Sequence, residues 1–195
     1  MSARDWMTDA TALFLRTVDR LPDADLDAPT ALPGWTRRHV IAHVHFNAEA
    51  LLRLAAWAST GVESRMYASP EQRNAEIAEG ATLPAAELRA LVSGSAQRLG
   101  ETLAALSPDA WHATVVTAQG RSVPATEIPW MRAREVAVHT VDLDAGVGFA
   151  DLPEAFVPAL VTEVAAKRAA SGEGPALAAW LTGRAGTAPE LGRWL

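Results

Sequence analysis

The apolar positions of the chain recur with helical spacing over most of its length. The pattern is clearest near the N-terminus, where one stripe recurs at i, i+4, i+7, i+8 and i+11. Its members are Trp6, Ala10, Leu13, Phe14 and Thr17. This spacing places all of them on one face of an α-helix, so we predict an amphipathic helix from Ala3 to about Arg20.

Segments rich in proline and glycine divide the rest of the chain into further helices. After a loop at residues 21–35, Thr36 is the predicted N-cap of the next helix. The predicted long helices span residues 37–59, 84–106 and 126–144, and a short polar helix spans residues 70–79. Residues 112–125 alternate loosely around Gly120, which fits either a β-hairpin or an extended loop. Two shorter helices are predicted after residue 150.

Four long helices joined by two long connections predict an all-α fold. The expected architecture is a four-helix bundle with long connections and a short helical C-terminal tail. We expect residues 1–150 to form the bundle and residues 151–195 to form a C-terminal helical extension. Bundles of this kind build their binding sites from side chains on facing helices.

The composition is that of a soluble globular protein with a full core, because 49% of the 195 residues are apolar and 21% are charged. The net charge of −6 argues against a nucleic-acid partner, which would require a basic face. No run of about 18 apolar residues is present, so we expect no membrane partner. The N-terminus predicts an amphipathic helix rather than a signal peptide, which favours a cytoplasmic protein.

The chain contains no cysteine. Disulfide bonds, a cysteine nucleophile and thiolate metal ligands are therefore excluded. A metal ion in this protein must be held by nitrogen and oxygen atoms, and any thiol chemistry must use a thiol from outside the chain.

Two segments place metal-capable side chains four residues apart on predicted long helices. In HVIAH, His39 and His43 share one helical face, which Asn47 continues. Downstream, in REVAVHTVD, Glu135 and His139 have the same spacing. Asp142 lies one turn further along that second stripe.

Each of the two segments has an ordinary explanation when it is considered alone. His39 can occupy the first turn behind the Thr36 cap, and a Glu–His pair at i, i+4 is common on exposed helices. A polar pair within an apolar stripe, however, is costly to bury without a partner. Together the two segments predict one metal site that is shared by two helices. The site suits Zn²⁺ or another divalent first-row metal and leaves one coordination position open. The spacing does not distinguish His39 from His43 as the ligand.

Residues beside the second segment are further candidates. Trp130 lies within two turns of Glu135 and is placed to line the mouth of a pocket. Arg132 and Arg134 flank the same glutamate and can meet an anionic substrate, but we expect them on a solvated helix face.

Long stretches of the chain resemble the mycothiol-dependent maleylpyruvate isomerases, within the DinB-like superfamily of metal-binding helical bundles. The resemblance rests on residues 32–77, which contain LPGWTRRHVIAH, and on residues 120–153, which contain REVAVHTVD. A third motif, LAAWLTGR, covers residues 177–184. Most of the chain is covered, and the first two motifs are long and specific in order.

The resemblance implies a role for each candidate residue. A divalent metal, normally zinc, is held by His43, Glu135 and His139, which makes His39 a neighbour rather than a ligand. Asn47 and Asp142 become candidates for orienting the ligands or holding a water. The family arginine that steadies the substrate enolate matches Arg184, with Arg193 a less favoured alternative.

The resemblance also implies an activity. Mycothiol adds reversibly to maleylpyruvate, which allows rotation and gives fumarylpyruvate in aromatic-acid breakdown through gentisate. Most of the family's C-terminal lobe is expected to be missing here. This absence keeps two alternatives open: a mycothiol S-transferase acting on another electrophile, or a non-catalytic metal-binding bundle. The expected partners are a small-molecule substrate and a low-molecular-weight thiol, for a monomer or a homodimer.

Overall fold

Helices carry most of the fold in the computed structural model, which describes residues 2–192. The long helices are α1 (Ala3–Arg20), α2 (Arg37–Thr60), α4 (Ala85–Ala104) and α6 (Ile128–Asp142). The shorter ones are α3 (Pro70–Gly80), α5 (Pro108–His112), α7 (Phe156–Arg168) and α8 (Gly174–Leu181). The predicted helices are all present, and their ends differ from the predicted ones by a few residues.

Local chemistry explains where several helices begin and end. Before α1, the backbone N–H of Ser2 donates to the Asp5 carboxylate at 2.6 Å, and the N–H of Asp5 donates back to the Ser2 hydroxyl. α2 ends at Gly61, whose φ of 73° is a left-handed conformation that glycine adopts without strain. The Ser69 hydroxyl accepts from the N–H of Gln72 at the start of α3.

The four long helices pack as a bundle. α1 packs along α6, α2 packs against both α4 and α6, and α1 also contacts α4. Fully buried side chains between the helices include Phe14, Leu51, Leu54, Leu99 and Ile128. The short helix α3 packs against α2, over the segment of α2 that carries the histidines.

The connection between α5 and α6 contains a small β-hairpin. Strand β1 (Thr114–Val116) pairs antiparallel with β2 (Ser122–Pro124), with Val115 opposite Val123. Gly120 has a φ of 76° in the intervening turn. Of the two structures that the sequence left open for this segment, the hairpin is therefore the one observed.

The chain divides into two compact units, Met1–Leu152 and Pro153–Leu195. The first unit holds the bundle and the hairpin. In the second unit, α7 and α8 are joined by a turn in which Gly172 has a φ of 97°. There Glu173 pairs with Arg168 at 2.8 Å and accepts the N–H of Gly192 at 2.8 Å. Within residues 2–192, none of the helices combines the length and the apolarity that crossing a membrane requires.

Candidate metal centre

Three side chains from two helices converge inside the bundle. Nε2 of His43 on α2 lies 3.0 Å from Oε2 of Glu135 on α6, and Nε2 of His139 lies 3.4 Å from the same oxygen. One potential ligand atom from each residue lies within 4.8 Å of the other two. The i, i+4 spacing of Glu135 and His139 puts both on the same face of α6, opposite His43. Two imidazole nitrogens and one carboxylate form a donor set that suits Zn²⁺ or another divalent first-row metal.

Asp142 fixes the orientation of His139. Nδ1 of His139 lies 2.8 Å from Oδ2 of Asp142, one turn further along α6. A carboxylate at Nδ1 holds the hydrogen there and points Nε2 towards Glu135, the usual arrangement around a metal-binding histidine. Burial acts to lower the pKa of His139, but the hydrogen bonds to Asp142 and Glu135 outweigh it and raise the pKa to about 9.

The pKa values of Glu135 and His43 are instead lowered. Burial acts to raise the pKa of Glu135, yet hydrogen bonds from His139 and His43 hold it well below its usual value. Burial lowers the pKa of His43, so this histidine is neutral at neutral pH. Glu135 is therefore ionised, and its charge is available to a cation at this position.

The far side of His43 contacts an arginine that the sequence interpretation did not single out. Nη2 of Arg73, on α3, lies 3.2 Å from Nδ1 of His43. The ring of Trp35 packs edge-on against His43 with centroids 5.5 Å apart and helps to shield it from water. No local motif marks Arg73, because it reaches the site only through the packing of α3 on α2.

Arg132 is buried, so the expectation that it lies in solvent was wrong. It is only 1% exposed rather than part of a solvated helix face, and it also lines a cleft of about 280 Å³ between α1 and α4. Its Nη1 atom donates to the Val44 carbonyl at 2.7 Å and to Oδ1 of Asn47 at 2.9 Å. Burial lowers its pKa to about 10, so it remains a cation at neutral pH. The i, i+4 stripe of Ile128, Arg132 and Val136 could have revealed this burial from the sequence.

Asn47 and His39 lie near the triad with other partners. Asn47 is buried, and its amide oxygen accepts from Arg132, so it ties α2 to α6 next to His43. His39 stays at the start of α2, where its Nδ1 accepts the backbone N–H of Thr36 at 3.2 Å. His39 does not belong to the converging group.

The remaining candidates lie elsewhere. Trp130 packs against Trp6 on α1, with ring centroids 5.5 Å apart. Arg184 follows α8 in the second unit, is exposed, and donates to the Thr182 carbonyl. Arg193 lies outside the described residues. The catalytic role of Arg184 stays a prediction.

Comparison with known proteins now decides the family. The family model described as the mycothiol maleylpyruvate isomerase N-terminal domain matches residues 7–144. The chain belongs to this family. The match contains all three residues of the triad and also Arg73, Asn47 and Asp142, whereas Arg184 lies beyond it.

Solved structures agree with this family membership. A crystal structure of the mycothiol-dependent maleylpyruvate isomerase is 45% identical to this chain, with a TM-score of 0.80, over 85% of this chain and 70% of that one. A histidine-to-alanine variant of that isomerase matches with 44% identity over the same shares and the same TM-score. No curated protein matches the chain.

A more distant likeness concerns the fold alone. YfiT from Bacillus subtilis, which has an unusual four-helix bundle topology, is 17% identical with a TM-score of 0.56. The alignment covers 73% of this chain and 83% of YfiT. The predicted all-α four-helix bundle is thereby confirmed.

Proposed function

We propose that this chain is a metal-dependent, mycothiol-dependent cis–trans isomerase that converts maleylpyruvate into fumarylpyruvate. The observation that carries the proposal is the convergence of His43, Glu135 and His139 within 4.8 Å, in a chain 45% identical to a mycothiol-dependent maleylpyruvate isomerase. We further propose residues 1–150 as the metal-binding domain and residues 151–195 as a shortened extension.

The chain's own residues supply the binding and the charge balance in this proposal. His43, Glu135 and His139 would hold the ion, and Asp142 orients His139. A divalent ion bound there, with zinc the expected one, would lower the pKa of a coordinated thiol. Glu135 contributes the single negative charge among these three residues. With a divalent ion bound, a net positive charge would therefore remain to attract a thiolate and a dianionic substrate.

The absence of cysteine agrees with a thiol that comes from outside. Reversible addition forms a C–S bond at the activated double bond and moves its π electrons onto the adjacent oxo group as an enolate. Rotation about the resulting single bond is free. Elimination then breaks the C–S bond, restores the double bond in the trans form and returns the thiol. We propose Arg184 as the cation that stabilises the enolate.

Turnover of maleylpyruvate by the zinc-loaded protein tests this function. The assay runs with and without mycothiol while free thiol is followed, with His43→Ala as the inactive control and His39→Ala as the active one. We expect mycothiol-dependent isomerisation with the thiol returned. Consumption of thiol without isomerisation would instead identify an S-transferase, and metal binding without any thiol-dependent turnover would identify a non-catalytic bundle.

A further inference from the structure

The hydrogen bond between Arg73 and His43 fixes which nitrogen of His43 carries hydrogen. A guanidinium group can only donate, so Nδ1 of His43, 3.2 Å from Nη2 of Arg73, must accept. His43 is therefore protonated on Nε2 and donates from there to Oε2 of Glu135 at 3.0 Å.

This arrangement is the reverse of the one that metal binding requires. Nε2 is the atom of His43 that faces Glu135, and a metal ligand must offer a lone pair at that atom. A neutral imidazole that gives up Nε2 in this way carries its hydrogen on Nδ1. Two donors, Nδ1–H of His43 and the N–H of Arg73, would then face each other. The bond from Arg73 and the bond to a metal therefore exclude one another.

His139 provides an internal comparison. Its Nδ1 faces the Asp142 carboxylate, an acceptor, so its Nε2 can take a metal by losing a proton, with no change of partner at Nδ1. Only His43 has a donor on its outer side. The two histidines of the triad thus differ in what must move before a metal can bind.

The other side-chain partners of Arg73 are neutral residues. It is half-buried and contacts Oδ1 of Asn74 at 3.3 Å. It also hydrogen-bonds the side chain of Tyr67, whose ring centroid lies 5.8 Å away. None of the ion pairs found in residues 2–192 includes it. A released guanidinium beside the triad presents a fork of N–H groups that matches a carboxylate.

We propose that Arg73 has two positions: bound to Nδ1 of His43 in the metal-free protein, and released by metal binding to hold a carboxylate of the substrate. Substrate binding is then coupled to metal loading through one side chain. The inference rests on the proposed function only in taking the ligand to be a carboxylate substrate.

Metal affinity tests the competition directly. Zinc affinity is measured for the wild type, Arg73→Met and the matched control Arg65→Met, which removes an arginine whose side chain is 70% exposed and pairs with Glu63. Because the variant loses a competitor for His43, we expect Arg73→Met to bind zinc about tenfold more tightly. The control should equal the wild type. Unchanged or weaker binding by Arg73→Met overturns the competition.

Nitrogen NMR of the ¹⁵N-labelled wild-type protein shows, without any substitution, which ring nitrogen of His43 carries hydrogen before and after zinc binds. His43 should show hydrogen on Nε2 in the metal-free protein and on Nδ1 after zinc is added. His139 should carry hydrogen on Nδ1 in both states. Hydrogen on Nδ1 of His43 in the metal-free protein would contradict the first position of Arg73.

Maleate, a simple dicarboxylate, tests the second position by calorimetry. We expect the wild type to bind maleate only when loaded with zinc, and Arg73→Met to bind it at least about tenfold more weakly, as expected for loss of a charged fork. Equal affinity in Arg73→Met overturns the carboxylate role. Arg73-dependent binding of maleate without turnover of maleylpyruvate would refute the proposed function and leave this inference standing.

Discussion

Nε2 of His43 lies 3.0 Å from Oε2 of Glu135, although the two residues are 92 positions apart and belong to different helices. The contact means that α2 and α6 present their polar atoms to one shared point inside an apolar bundle. Such a group is costly to bury unless something compensates its charge. A divalent cation at that point is the compensation that the donor set suits best.

Removing any member of the triad should therefore abolish tight metal binding. For His43→Ala, Glu135→Ala and His139→Ala we expect zinc affinity to fall by more than about 100-fold, because loss of an outer partner alone typically costs 10- to 100-fold. His39→Ala is the matched control and should keep its affinity, since His39 caps α2 instead. Equal loss from His39→Ala would show that the wrong histidine was assigned.

Metal binding should also release one proton, and that proton comes from His139. Its pKa is about 9, whereas Glu135 is ionised and His43 is neutral. Below about pH 9 a metal must displace this proton, so zinc affinity should rise roughly tenfold per pH unit between pH 7 and about pH 8. Calorimetry in buffers of different ionisation enthalpy measures the proton directly.

The variant Asp142→Asn tests whether His139 supplies the proton that is released on metal binding. Loss of the carboxylate removes a group that raises the pKa of His139, so the pKa should fall and fewer protons should be released on binding. The same change should weaken zinc binding by about 10- to 100-fold. An unchanged proton release in Asp142→Asn would mean that another group supplies the proton.

Sequence patterns predicted the bundle well because its helices depend on local signals. The stripe from Trp6 to Thr17, the caps at Ser69 and Thr36 and the break at Gly61 all act within a few residues. Spacing also paired Glu135 with His139. It did not separate His43 from His39, since both lie on one face of α2 and only the family resemblance distinguished them.

Local sequence patterns did not predict the positions of Arg73 and Arg132. Arg73 meets His43 only because α3 packs on α2, a tertiary contact with no local pattern. Arg132 was expected in solvent because arginine is rarely buried without a carboxylate partner. In the structure, the Val44 carbonyl and the Asn47 amide take the place of that partner.

The bond between Arg132 and Asn47 should therefore matter for stability. Asn47→Leu deprives a buried cation of one acceptor, and we expect the free energy of unfolding to fall by about 2–3 kcal/mol. Adding Arg132→Met should restore part of the loss, because a buried charge is costly only while it is present and poorly paired. Chemical denaturation of the metal-free variants measures both. Strictly additive losses in the double variant would contradict the coupling.

Gly80 allows α3 to approach α2 closely, and substitution of this glycine tests whether it sets the spacing of the two helices. A Cβ atom at Gly80 would lie 3.0 Å from Cε2 of Phe46 and 3.1 Å from Cβ of Ala42. Ala42 is fixed to the α2 backbone and cannot move aside alone, so Gly80→Ala should destabilise the protein by about 1–2 kcal/mol despite the better helix propensity of alanine. Because α3 must shift outwards, the contact from Arg73 to His43 should lengthen.

Gly100→Ala on α4 is the matched control, since nothing lies within 4 Å of the Cβ it would add. There the propensity gain should dominate and stabilise the protein by about 0.5–1 kcal/mol. Thermal or chemical unfolding separates the two signs. If Gly80→Ala were as stable as Gly100→Ala, the spacing of α3 and α2 would not be set by this glycine, and the position of Arg73 would depend on the rest of the α3 interface.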